Sequence, residues 1–262
     1  MLSERRIEDG ISKAVRHFWD TRSGQAKKQQ DAGRSDQGAR GAVTGGKQMD
    51  GFVLLVRDII KDGGLSDTCI HTLTSLELPG YFRPEKKWDL IVVDGDVLVA
   101  AIEFKSQIGP SFGNNFNNRS EEAIGTAQDI WTAYREGAFQ TSERPWLGYV
   151  MMLEDCPRST APVSGRQPHF PVFPEFVDAS YSARYQLLMT KLGRERLYDS
   201  TCFLLSSKKA GAKGQCAFPD PNLSFIQLAA SLSGKITTHL NAKRGRTSSW
   251  PLKSSSTDLR RR

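Results

Sequence analysis

The chain has 262 residues, 38% of them hydrophobic and 25% charged, with a formal net charge of +7 at pH 7. That length suits one large domain, or a domain with an appendage, built around a substantial core. No apolar run approaches the roughly 20 residues needed to span a membrane. The N-terminus carries Glu4, Arg5, Arg6, Glu8 and Asp9 where a secretory signal needs an apolar core, so an intracellular protein is expected.

Cys69, Cys156, Cys202 and Cys216 are widely spaced and form no C-x-x-C pair, which argues against a zinc ribbon or a disulfide framework. His17, His71, His169 and His239 are equally scattered. Positive charge, by contrast, is concentrated. The stretch Arg22 to Lys47 carries a net +4 and the tail Lys243 to Arg262 a net +6, which leaves the remainder at −3. Mobile basic arms of this kind suit contact with phosphates, although a basic tail also serves solubility alone.

In chain order, residues 4 to 21 read as an amphipathic helix with Ile7, Ile11, Ala14, Val15, Phe18 and Trp19 on one face. Ser23 to Gly46 has no periodicity and is expected as a long flexible loop. Helix returns over Gln48 to Lys61, stopped by Gly63-Gly64. Leu90 to Val93 and Val97 to Phe104 are apolar, β-branched runs flanking an Asp-Gly turn signal, which predicts a hairpin turning around Asp94 to Asp96. Ser106 to Asn118 is expected as a Gly- and Asn-rich loop, followed by a helix from near Ser120. Trp146 to Leu153 reads as a central strand parallel to the preceding one, because a crossover helix separates them. Cys156 to Pro174 is Pro-rich and irregular, Tyr181 to Tyr198 helical, Thr201 to Leu205 a short buried strand, and Asn222 to Leu240 a last helix. The fold class expected is α/β, a mixed central sheet flanked by helices, as a single domain over residues 1–242 with a disordered basic tail over 243–262.

The chemistry centres on the hairpin. Alternation along a strand sends Glu103 and Lys105 to one face and Ile102 and Phe104 to the other. A two- or three-residue loop around Gly95 puts Asp89 opposite a residue between Ala100 and Ile102, with its carboxylate within roughly 5–8 Å of Glu103. Two carboxylates and an ammonium at the end of an apolar hairpin carry a desolvation cost that a divalent cation relieves. Mg²⁺ takes carboxylate oxygens and water, and a neighbouring lysine then orients a water against a phosphodiester. The bland alternative is a solvated strand end, since charged pairs with period two are common on half-exposed strands. Immediately downstream, Asn114, Asn115, Asn117, Asn118 and Arg119 supply the side-chain types that read adenine and guanine edges; otherwise such a run is simply turn-forming.

Asp89 … Glu103-x-Lys105 resembles the PD-(D/E)xK nuclease signature, with Trp88 where that name has proline. The continuation from Ala101 to Phe139, A-I-E-F-K-S-Q-I-G-P-S-F-G-N-N-F-N-N-R and onward, together with K-Q-M-D-G-F from Lys47 to Phe52, resembles the XhoI-type restriction endonucleases. The resemblance implies a restriction-endonuclease-like PD-(D/E)xK core. Asp89 and Glu103 would be Mg²⁺ ligands with the Phe104 carbonyl, and Lys105 the residue that positions the attacking water. It further implies a prokaryotic cytoplasmic homodimer that cuts double-stranded DNA at CTCGAG after the first C, leaving 5′-phosphates, and a companion DNA methyltransferase. A further metal-site acid could come from Asp50, Glu77 or Glu122, none of which the sequence singles out. Three other readings remain open at this point: a repair or junction nuclease with the same metal site, a DNA-binding protein without catalysis, and a plain α/β interaction domain.

Overall fold

The computed structural model describes residues 2–31, 47–140 and 142–247. Its centre is the expected hairpin, β4 (Leu90–Asp94) and β5 (Val97–Gln107), closed by Gly95 and Asp96 with Gly95 at φ +62°, a conformation that glycine adopts without a Cβ penalty. β5 pairs in parallel with β6 (Trp146–Glu154), and β6 in parallel with β7 (Ser200–Ser206). β1 (Ile70–His71) adds an antiparallel edge, giving a five-stranded mixed sheet of order β1-β4-β5-β6-β7. A separate two-stranded ribbon, β2 (Glu77–Pro79) and β3 (Glu85–Lys87), leads into Asp89.

Central strands buried on both faces need apolar side chains in both directions, and β6 is buried over eight of its nine residues. One face packs against α1 (Glu4–Asp31), α2 (Asp50–Asp62) and α5 (Phe225–Thr247) around Phe18, Phe52, Ile59, Ile102, Val150 and Phe225. The other packs against α3 (Phe112–Arg135) and α4 (Tyr181–Arg194) around Trp131, Tyr149, Met151, Tyr185 and Phe203. Fully burying a side chain of this size contributes about 1.5–3 kcal/mol. The expected mixed sheet flanked by helices is therefore present. Among the described residues, no helix is long and apolar enough to cross a membrane.

Three element boundaries differ from expectation by more than six residues. α1 does not stop at residue 21 but runs to Asp31, so the loop expected from Ser23 is helical in its first part, and residues 32–46 lie outside the described residues. The apolar stripe ends at Trp19, yet Ala26, Lys27, Lys28, Gln29 and Gln30 are good helix formers that extend a helix already nucleated. α3 begins at Phe112 rather than near Ser120, so the Asn-rich segment is helix, not loop. Asn and Gly are poor helix formers, but Phe112 stacks on Tyr181 and Phe116 meets Tyr185 edge-on, and this tertiary packing outweighs propensity. α5 continues past Leu240 to Thr247, across the 242/243 boundary expected for the tail, and residues 248–262 lie outside the described residues. There His239 Nε2 and Lys243 Nζ each come within 2.8 Å of the Asp94 carboxylate, tying the helix to the hairpin turn.

The β2–β3 ribbon is held by a buried acid on α3. Asp129 accepts the backbone N–H groups of Tyr81 and Phe82 at 2.8 and 2.9 Å and the Arg83 guanidinium at 2.6 Å. A Cβ at Gly80 would stand 2.7 Å from both Arg83 O and Asp129 Oδ2, so glycine is required where the ribbon crosses the acid.

Candidate active site

The hairpin register decides which face Asp89 presents. From the turn, Asp94 pairs with Val97 and Val93 with Leu98, but the next pair is Val92 with Ala100, then Leu90 with Ile102. Val99 is thus a β-bulge, and it shares a core face with Ala100. One step beyond Leu90, Asp89 comes level with Glu103, not with a residue between Ala100 and Ile102 as the turn length suggests. Without the bulge, Asp89 would oppose Ile102 and point into the helical face on the other side of the sheet. Directly opposed residues share a face, so the bulge is what brings the two carboxylates together.

Asp89 lies in a bend directly before β4. The buried Trp88 before it donates its N–H to the Leu76 carbonyl at 2.9 Å. Asp89 Oδ2 accepts the Phe104 N–H at 2.8 Å, which clamps the acid onto β5. The N–H and C=O of a strand residue point to the same neighbour, so the Phe104 carbonyl also opens toward Asp89. Lys105 Nζ stands 2.5 Å from Glu103 Oε2 and 3.6 Å from Asp89 Oδ2. Lys86 of β3 pairs with Glu103 Oε1. Asp89, Glu103 and Lys105 are thus brought into one constellation, with Lys86 as a fourth member.

The electrostatics follow from burial and from these partners. Glu103 is 2% exposed; burial by itself pushes its pKa up, but the Lys105 and Lys86 ammoniums outweigh that and hold it below the usual carboxylate range. Asp89 sits at the rim with 40% of its side chain exposed, and the protein around it, together with the Glu103 charge, raises its pKa. Burial lowers the Lys105 pKa, but the Glu103 and Asp89 carboxylates more than reverse this, so it stays a cation. A carboxylate pair with one member at the solvent rim, an adjacent strand carbonyl and a flanking lysine is a donor set that fits a hard divalent cation. Among the described residues, no further acid, histidine or cysteine joins the pair to make a group of three. Of the additional acids considered, Asp50 lines the nearby cleft, Glu77 accepts the Leu76 N–H, and Glu122 pairs with Arg119.

The constellation borders an open cleft of about 1070 Å³, whose lining among the described residues includes Arg22, Lys47, Lys87, Lys105 and Arg119 against the acids Asp50 and Asp89. Positive lining of this kind suits a polyanion. Of the residues expected to read bases, Asn114, Asn115 and Arg119 line this cleft; Asn117 and Asn118 are exposed on the same helical turns outside the lining, and Asn117 donates to Glu121. Residue patterns do not single out Lys86, Lys87, Arg22 or Lys47 individually. The signal available was their closeness in sequence to Asp89, or their place in the basic stretch, and neither says which lysine turns inward.

A five-stranded mixed sheet flanked by helices, with paired acids and a lysine on its central hairpin, is compatible with the restriction-endonuclease-like class of α/β folds. Residues 28–218 match the family model described as restriction endonuclease XhoI. The chain is 50% identical over 212 residues to the type II restriction enzyme BstVI of Geobacillus stearothermophilus, covering 79% of this chain and 95% of that protein. It is 51% identical over 180 residues to the type II restriction enzyme XhoI of Xanthomonas vasicola, covering 68% and 72% of the two chains. It is 56% identical over 158 residues to the type II restriction enzyme AbrI of Azospirillum brasilense, covering 60% and 71%. No solved structure matches it. The chain belongs to the XhoI restriction endonuclease family.

Proposed function

We propose that this type II restriction endonuclease hydrolyses both strands of double-stranded DNA at the palindrome CTCGAG, after the first C, leaving 5′-phosphates. The observation that carries the reaction class is the convergence of Asp89, Glu103 and Lys105 beside a cleft lined by basic side chains. The target sequence is carried by the family likeness of the central block from Ala101 to Phe139.

Asp89, Glu103 and the Phe104 carbonyl would hold Mg²⁺, which when bound supplies positive charge against the phosphoryl oxygens and a more acidic water. The protein's own residues do the positioning. Lys105, fixed between the two carboxylates, donates to the attacking water and aims it in line with the departing 3′ oxygen. Arg22, Lys47 and Lys87 take the flanking phosphates, and Asn114, Asn115 and Arg119 address base edges from the first turns of α3. A palindrome cut identically on both strands is matched by two copies of this site related by a two-fold axis, which supports a homodimer. The host genome then needs a companion methyltransferase for the same sequence, and both would work in a prokaryotic cytoplasm. We place the nuclease domain at residues 1–242, with the basic stretches around 22–47 and 243–262 as accessory phosphate contacts.

The test is digestion of a fully sequenced linear DNA by purified protein, with Mg²⁺ or with EDTA, followed by sequencing of the ends. Mg²⁺-dependent ends at CTCGAG are expected. Discrete ends at another palindrome would overturn the target while keeping the class, and intact DNA under both conditions would overturn the reaction.

A further inference from the structure

Both oxygens of the Glu103 carboxylate are taken by ammonium groups. Lys105 Nζ stands 2.5 Å from Oε2, and Lys86 Nζ donates to Oε1. Lys86 arrives from β3, outside the central sheet, and keeps 16% of its side chain exposed. Its ammonium has two further contacts, a 2.9 Å hydrogen bond to the Lys87 carbonyl and the Trp88 ring face at 4.7 Å. The four charges of Asp89, Glu103, Lys86 and Lys105 cancel.

That neutrality has two consequences. Without Lys86 the buried Oε1 of Glu103 would lose its ammonium and the two carboxylates would face Lys105 alone, so the protein without metal is stabilised by a second cation there. A divalent ion entering the same low-dielectric floor would meet two ammoniums, and one of them must yield. Lys105 is held by both acids, whereas Lys86 contacts Glu103 and two neutral groups, neither of which depends on the carboxylate. Lys86 is therefore the ammonium able to leave at least cost.

Resting on the reading of this site as a metal-dependent nuclease, we propose that Lys86 is a place-holder cation. It neutralises Glu103 at the oxygen a divalent ion would take, and withdraws along the Trp88 face as the ion enters. The ammonium so released stands beside the cleft, where a DNA phosphate gives it a new partner. Metal and DNA then bind cooperatively, because each removes a cost that the other would otherwise bear. Lys86 is on this account a positioning residue.

The experiment is Mn²⁺ binding to the full chain without DNA, followed by electron paramagnetic resonance of the free ion. Lys86→Met keeps the aliphatic stem over Trp88 and removes the charge; it should bind Mn²⁺ about tenfold more tightly than the wild type, because the competent state is no longer a minority. Lys86→Arg should stay near the wild type, and Glu103→Gln should abolish binding in either background. In EDTA, Lys86→Met should melt below the wild type, and saturating Mn²⁺ should close the gap, a pattern that a purely structural lysine would not give. If Lys86→Met is insoluble, Lys86→Gln serves in its place. Unchanged or weakened Mn²⁺ affinity in the neutral variants would overturn the place-holder. Absence of Mn²⁺ binding in the wild type as well would overturn the metal-site reading beneath it.

Discussion

Asp89 Oδ2 accepts the backbone N–H of Phe104 at 2.8 Å, so the acid that precedes the hairpin is fastened to the strand that carries Glu103 and Lys105. This bond holds the two halves of the site in one geometry, and it separates what each residue does for activity from what it does for stability.

Asp89→Asn, Glu103→Gln and Lys105→Ala should each lower single-turnover cleavage by at least about 10²–10⁴-fold. Binding to target DNA in a gel-shift assay with Ca²⁺ should fall much less, because Arg22, Lys47, Lys87 and Arg119 of the cleft lining remain. The three differ in the folded protein. The Asp89 pKa is raised by the surrounding protein and by Glu103, so its ionised form is less favourable folded than unfolded. Asp89→Asn should therefore melt at or above the wild type near pH 7, with the difference disappearing as the pH falls below the ordinary aspartate value and both carboxyls are protonated. A clear loss of thermal stability in Asp89→Asn at neutral pH would contradict this account.

Asp94 has the opposite sign. Its hydrogen bonds to Lys243 and His239 hold its pKa below the usual range, so it contributes stability that is present above the ordinary aspartate pKa and lost as the pH falls through the lower folded value. Asp94→Asn should cost about 1–2 kcal/mol at pH 7. Urea titrations between neutral pH and pH 3 should show the wild-type advantage shrinking at the acid end, with α5 affected first.

Asp129 holds the ribbon that delivers Lys86, Trp88 and Asp89. Its side chain is 6% exposed and accepts from two backbone N–H groups and one guanidinium. Asp129→Ala leaves those donors without their acceptor and should destabilise the protein by about 2–3 kcal/mol in urea unfolding. Activity should fall with it at temperatures where the fold still holds, since the ribbon positions the bend that carries Asp89.

The helical placement of the Asn run divides its members. Asn114→Ala and Asn115→Ala remove cleft-lining side chains and should relax discrimination at one base pair each, by about 1–3 kcal/mol where the lost contact is bidentate. Asn117→Ala should cleave like the wild type, because its side chain pairs with Glu121 on the exposed side of α3. Competition between the target and its single-base-pair variants measures both, and equal effects at positions 114 and 117 would refute the division.

Much of this protein was legible in its residues. Alternation and the Asp-Gly signal are enough to define the β4–β5 hairpin, and the crossover helix is enough to make β6 parallel to β5. Periodicity places the apolar faces of α1 and α2, and the types and spacing of Asp89, Glu103 and Lys105 mark them as partners, because each of these signals is local. What only the tertiary structure decided are relationships carried by non-local contacts. Val99 drops out of the ladder and turns Asp89 toward Glu103, whereas turn length alone points it the other way. Phe112 and Phe116 find Tyr181 and Tyr185 some seventy residues away and draw a Gly- and Asn-rich segment into helix against its propensity. Asp129 fixes the ribbon from which Lys86 reaches Glu103. Register, helix onset and the fourth charge of the site all depend on which distant surfaces pack together, and the free energy of that packing is not written in any one stretch of the chain.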